Sequence, residues 1–374
     1  MVSHAIPAGS STEHRVFGKR ANRALTLPHD ARTIRRDSMN RTWPVISVIT
    51  PTRNARALLE NLYASVAKQD YPRERIELII ADARSTDGTR ELAAKFGALV
   101  LDDNGSDMEE AKRIAVGRAT GDYILFADAD NEFTHADFFR LAVEALEKHP
   151  QALGVESYYL PSAKMSSFCA YITATLHISD PIAWLMTIRP RLVATEGEVE
   201  RWALPEGTFA YPLGANGFLF RKADLEAVGA AKQFQDTHVA MHLMQRGQRE
   251  WIRLRGRGVH HYYVQDLWPG FLHKRRRAIA HYFNVQRRAG GVNWSKEKPR
   301  VPAWLACLYA GTFIGPLWHT LTGILRTGDW RWLWHAPASF VSALGTVWGW
   351  WTFKRHAHDR QMVSKLQPKQ TLKN

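Results

Sequence analysis

The chain of 374 residues has only two cysteines, Cys169 and Cys307. They lie far apart in apolar surroundings, which excludes a disulfide framework and a cysteine-rich metal site. A reduced, cytosol-facing catalytic part is expected. No secretory signal is expected either. Met1 to Pro44 is polar and Arg-rich without an apolar run, and reads as a mostly disordered basic arm. Helix-turn-helix, zinc-finger and RNA-binding signatures are absent, so nucleic acid is not the expected partner despite a formal net charge of +14. There are no internal repeats. No glycine-rich phosphate loop follows the first apolar run, which argues against a nucleotidyltransferase of similar α/β design.

An apolar content of 45% is enough to bury a real core. The positive charge is concentrated. Residues 246–300 carry 14 Lys+Arg against 3 Asp+Glu, a block that suits phosphates or acidic lipid headgroups.

Short β-branched runs alternate with helical spacing in the first third of the chain. Val45 to Thr50 is a strand entering the loop Pro51-Thr52-Arg53-Asn54. Leu58, Leu59, Leu62 and Val66 mark a helix over 55–69. Ile76 to Asp82 is a second strand, Ala98 to Leu101 a third, and Tyr123 to Ala127 a fourth that runs into Asp128-Ala129-Asp130. Helices are expected from Ser85-Thr86-Asp87-Gly88-Thr89 to about Phe96 and over 108–119. Such alternation predicts a parallel, doubly covered sheet. Ligands then sit beyond the carboxyl ends of the strands, where Arg53, Asp82, Asp128 and Asp130 fall.

The C-terminal region differs. Residues 301–325 and 332–353 hold no Asp, Glu, Lys or Arg, and eight of the 14 tryptophans lie between Trp304 and Trp351. Each segment is long enough to cross a bilayer. Basic residues flank the outer ends, so a membrane-associated helical hairpin over 301–353 is expected, spanning or lying in the interface. Before it, Lys274, Arg275, Arg276 and Arg277 stand among Phe271, Leu272, Ile279, Tyr282 and Phe283. This is a basic amphipathic helix suited to a lipid headgroup or a diphosphate. The aromatic stretch Tyr158 to Trp184 is expected to face lipid as well.

Asp128-Ala129-Asp130 is the strongest chemical motif. Two carboxylates at a strand end suit one hard divalent cation, Mg²⁺ or Mn²⁺, shared with a diphosphate. Asp82, ending the second strand, is placed to accept hydrogen bonds from a nucleobase or ribose. Asp87 is either a helix cap or a nucleotide contact.

Taken together, residues 45–54, Asp82 with Ser85-Thr86-Asp87-Gly88-Thr89, and Asp128-Ala129-Asp130 resemble the nucleotide-binding half of family 2 glycosyltransferases over roughly 45–135. The portion to about 265 resembles the acceptor half. The resemblance implies a GT-A fold, Rossmann-like with a mostly parallel sheet flanked by helices. It also implies a nucleoside-diphosphate sugar donor and inversion at the anomeric carbon. By position, Pro51, Arg53, Asp82, Asp87 and Asp128 would hold the nucleotide sugar, and Asp128, Asp130 and His261 the metal. Asp236, after Gln235 where the family usually has Glu, would be the general base. Gly214, Asn216 and Gly217 would form the acceptor loop, its glycines allowing close approach to a sugar. The Gln-x-x-Arg-Trp signature of processive members is absent.

The expected organisation is a basic arm (1–44), a catalytic domain (45–265, divided at 135), a basic helix and linker (266–300), the hairpin and a polar tail (354–374). The expected activity is transfer to a polyprenyl-phosphate or lipid-linked saccharide at the cytoplasmic face of the inner or plasma membrane. The rivals are a soluble or polysaccharide acceptor, and a non-enzymatic scaffold.

Overall fold

A computed structural model describes residues 42–205, 207, 211–288 and 300–366. The basic arm to residue 41, the linker 289–299 and the end of the tail lie outside these. The first strand, β1 (Ile46–Thr52), is apolar on both faces and almost wholly buried, as a central strand covered on both sides must be. It pairs in parallel with β2 (Ile76–Asp82) and β4 (Tyr123–Phe126), and β2 with β3 (Leu99–Asp102). The connecting helices are α1 (Arg56–Ala67), α2 (Thr89–Lys95) and α3 (Met108–Val116). Helix α1 buries Leu59, Leu62, Tyr63 and Val66, one stripe at helical spacing. These four strands and three helices follow the expected order.

Beyond β4 the sheet changes character. Its other strands are β5 (Asn131–Phe133), β6 (Val155–Tyr159), the hairpin β7 (Arg191–Glu196) and β8 (Val199–Ala203), β9 (Phe218–Arg221), and β10 (Glu250–His261). The ten strands run 3-2-1-4-9-6-10-8-7, with β5 against β10. β9 is antiparallel to both β4 and β6, and β10 is antiparallel to β8 and β5. The expectation of a mostly parallel sheet is therefore corrected. One half is parallel, the other mixed, and helices flank both. Phe126, Phe218 and Phe220 pack where the halves meet.

Helix α4 (Phe138–Lys148) lies against β10, and the short α5 (Ser167–Ala170) and α6 (Pro181–Met186) follow β6. Then come α7 (Lys222–Ala227), α8 (Asp236–Gln245) and the basic helix α9 (Leu272–Arg288). The C-terminal segments form α10 (Ala303–Thr312), α11 (Ile314–Thr327), a 3-10 turn (Trp330–Trp334) and α12 (His335–Leu366).

The spanning hairpin is also corrected: among the described residues no helix is long and apolar enough to cross a membrane. The charge-free run 301–325 is broken at Phe313, whose φ is 62°, into helices of 10 and 14 residues. At 1.5 Å per residue these reach about 15 and 21 Å, short of the roughly 30 Å of hydrocarbon. The stretch after β6 does not face lipid throughout. Phe168, Tyr171 and Ile172 are buried against Phe271, Trp332 and Val341, so it forms a separate core with the C-terminal helices.

Candidate active site

The carboxyl edge of the parallel half gathers most of the acids singled out above. Asp82, fully buried at the end of β2, is satisfied by its own loop and by the end of β1, with Arg90 Nε 3.9 Å away. It accepts from Thr52 Oγ1 at 2.8 Å, Ser85 Oγ at 2.6 Å and Ser85 N at 2.8 Å. A nucleotide would meet the loop that Asp82 organises, with only the remaining lone pairs of that carboxylate free. Asp87 is a double cap. Thr89 N and Oγ1 donate to its Oδ1, and Arg56 N at the start of α1 donates to Oδ2 at 3.1 Å. The Thr89 hydrogen bonds foremost hold its pKa below the ordinary aspartate value. Pro51 is half-buried near the end of β1, and Arg53 is exposed immediately after it.

The turn between β4 and β5 carries Asp128 and Asp130. Asn131 fixes the turn: its Oδ1 accepts from Asp128 N at 3.0 Å, and its Nδ2 donates to Asp130 Oδ1 at 3.3 Å and Asn216 Oδ1 at 3.2 Å. The acidic turn and the acceptor loop are thereby joined through side-chain amides. His261, at the end of β10, brings Nε2 to 3.6 Å from Asp130 Oδ1. Burial lowers the pKa of this imidazole, leaving it neutral and able to donate a lone pair. Lys274 Nζ stands 3.7 Å from Asp130 Oδ2 and over the ring of Tyr263.

The donor set suits a hard cation shared with a diphosphate. Asp128 Oδ1 is buried and makes no hydrogen bond, His261 turns Nε2 toward Asp130, and the oxygens of Asp128 and Asp130 are of the type Mg²⁺ and Mn²⁺ prefer. Among the described residues no three His, Cys, Asp or Glu side chains gather closely enough to hold an ion alone. Phosphate oxygens would have to complete the coordination.

Asp236 opens α8. Its Oδ2 accepts from Lys112 Nζ at 2.7 Å, while Oδ1 is buried without a hydrogen bond. Lys112, on α3, is completely buried and also lies 3.5 Å from Asp128 Oδ1. Glu109, one turn earlier, accepts from Asp236 N at 3.2 Å. Burial raises the pKa of Asp236 against the pull of Lys112. Burial and the charge of Asp236 raise that of Glu109. For Lys112 burial opposes the charge, but Asp128, Asp236 and Glu109 outweigh it and keep the amine an ammonium. One lysine thus ties the acidic turn to the aspartate expected to act as base.

Sequence reasoning overlooked Lys112 and Glu109. A signal existed: α3 buries positions 111, 112, 115 and 116, so Lys112 falls on the inward stripe. An inward lysine needs acids to face it.

The loop before α8 is held by close packing against its neighbours. Gly214 has φ +109°, and a Cβ there would come within 2.9 Å of Asp236 O; a Cβ on Gly217 would meet Ser157 Oγ at 2.4 Å. The glycines let the loop pack closely against the Asp236 backbone and the Ser157 side chain of β6. Asn216, with φ 54°, directs its amide to Asn131.

The four basic residues of α9 also divide. Successive side chains on a helix point about 100° apart, and of the four only Lys274 lies beside Asp130. Arg275 is paired with buried Asp180, which also accepts from Ser342 Oγ at 3.0 Å; it locks α6, α9 and α12 together instead of meeting a headgroup or diphosphate. Arg276 stacks on Trp348 at 4.5 Å, and Arg277 is exposed.

Residues 47–162 match the family model Glycosyl transferase family 2. Among curated relatives, the poly(ribitol-phosphate) beta-N-acetylglucosaminyltransferase TarS of Staphylococcus aureus is 28% identical over 109 residues, 28% of this chain and 19% of TarS. A PGL/p-HBAD biosynthesis glycosyltransferase of Mycobacterium tuberculosis is 30% identical over 112 residues, 28% of this chain and 43% of the relative. The chain thus spans less than half the length of these relatives. Among solved structures, the mannosyltransferase PcManGT of Pyrobaculum calidifontis in complex with GDP-Man and Mn²⁺ is 19% identical, with a TM-score of 0.48, covering 85% of this chain and 92% of that one. TarS residues 1–349 with UDP give a TM-score of 0.41 at 16% identity, covering 81% and 90%. The family match lies over the acid-bearing half of the sheet and supports a transferase enzyme.

Proposed function

We propose that this chain is an inverting, metal-dependent glycosyltransferase that takes a sugar from a nucleoside-diphosphate donor to an acceptor at a membrane surface. The acceptor we favour is a polyprenyl phosphate or a lipid-linked saccharide. The observation that carries the reading is the pairing of Asp128 and Asp236 through one buried lysine, beside Asp130, at the sheet's carboxyl edge.

In this reading the nucleotide lies along the loops after β1 and β2, with its diphosphate toward Asp128 and Asp130. A bound Mn²⁺ or Mg²⁺ would offset charge developing on the leaving diphosphate. Asp236, whose side chain keeps 14% of its surface exposed, takes the acceptor's proton. The acceptor oxygen forms a bond to the anomeric carbon as the bond to the diphosphate oxygen breaks, and the nucleoside diphosphate leaves with that electron pair. Lys112 holds the base close to the donor acids, so both ends of the displacement share one rigid frame. An acceptor that is already an ionised phosphate would need Asp236 only for orientation. Membrane placement is supported by the apolar surface of the C-terminal helices.

The test is the stereochemistry of the product. An α-linked sugar nucleotide supplied with Mn²⁺ and membrane-extracted acceptor should yield a β-linked product, read by the anomeric coupling in NMR. An α-linked product would overturn the single-displacement reading.

A further inference from the structure

Helix α11 is amphipathic in the reverse sense for a protein in water. Ile314, Leu317, Trp318, Leu321 and Leu325 recur at helical spacing and face outward; Ile314 is 79% exposed and Leu325 74%. The inward positions are Pro316, Thr320 and Gly323. A Cβ on Gly323 would collide with the ring of Trp332 at 2.2 Å, so the inward face is packed closely against the 3-10 turn and the leucines lie on the opposite side. Trp304 and Leu308 on α10, Trp330 in the turn, and Trp350 and Trp351 on α12 are exposed too. Large apolar side chains gathered on one exposed helix face mark a site for a non-aqueous neighbour.

Charge decides which neighbour. Between residues 300 and 355 the only acid is Asp329, which is held by Arg331. Arg300, Arg326, Lys354 and Arg355 are all exposed. The last two lie over exposed tryptophans, with Lys354 5.6 Å from the Trp350 ring and Arg355 5.4 Å from Trp351. Tryptophans beside outward cations suit the boundary between headgroups and acyl chains.

We infer that α10, α11 and the exposed face of α12 form a monotopic platform that lies in the plane of an anionic lipid leaflet, inserting Ile314, Leu317, Trp318 and Leu321 without crossing it. The inference rests on the membrane placement proposed above and names how it is achieved. It does not depend on the transfer chemistry. Short helices in plane bury their apolar stripe only to the depth of the upper acyl chains and leave Arg326 among the headgroups.

The test uses the full chain released from detergent into vesicles of phosphatidylcholine with or without phosphatidylglycerol, scored by flotation. The triple variant I314E/L317E/L321E alters exposed positions only, so the fold should persist; an unchanged donor-induced thermal shift checks it. The wild type should float with the anionic vesicles, less with neutral ones, and the variant should lose at least about tenfold in partitioning. Brominated lipids should quench tryptophan more strongly with bromine near the headgroup than at the chain end. Vesicle binding unchanged in the variant would overturn the inference. So would quenching strongest at the bilayer centre, or a lipid-free dimer that the variant dissociates, since that assigns the face to a second copy of the chain. Loss of the donor shift in the wild type, with flotation intact, would instead sink the transferase reading and leave the platform standing.

Discussion

Lys112→Met is expected to lower the unfolding free energy by about 3–5 kcal/mol, the usual effect of removing one partner from a buried ionic cluster. Lys112 has no exposed surface and faces Asp128 and Asp236, with Glu109 behind them. Methionine fills the same space but leaves like charges together in a medium that screens them weakly. Urea denaturation should show a lower midpoint with an unchanged slope. Lys112→Arg keeps the charge in a bulkier form and should recover part of the loss. If the methionine variant were as stable as the wild type, Lys112 would not be the cation that balances these acids.

The largest effect on rate is expected at Asp236. With a hydroxyl acceptor, Asp236→Asn should reduce kcat by about 10²–10⁴-fold, the range associated with a positioned general base. KM for the donor should barely change, because the donor's expected contacts lie on Asp128, Asp130 and the β1 and β2 loops. Initial rates at saturating donor measure it. A native kcat would remove Asp236 from the chemistry and leave it as the first residue of α8, paired to Lys112.

Much of the nucleotide-side geometry was legible in advance because its signals are local. β-branched runs end in acids at β2 and before the 128–130 turn, and parallel topology sends those ends to one edge. The second half showed only the strand at 218–220 and hid the rest of its sheet. Strand β10 carries Arg253, Arg255, Arg257, Gly256 and Gly258, a composition that reads as a basic loop. It becomes a strand because Arg253 is neutralised by Glu156 at 2.7 Å and Gly258 packs directly on the backbone of β6. No window of sequence contains those partners. The basic run 274–277 misled for a related reason: charge sequence reveals neither that Asp180 captures Arg275 nor that Trp348 takes Arg276. The C-terminal segments were correctly read as apolar, but length alone could not show that Phe313 breaks the first into two helices.

Calorimetric titration of sugar nucleotides with UDP, GDP and dTDP leaving groups, with and without Mn²⁺, into the wild type and the Asp130→Asn variant bears most directly on the acid-lined edge. One donor should bind the wild type only with the metal present, and that dependence should be lost in the variant. Donor binding that ignores both the metal and the substitution, or no binding of any sugar nucleotide, would contradict a diphosphate held at Asp128 and Asp130.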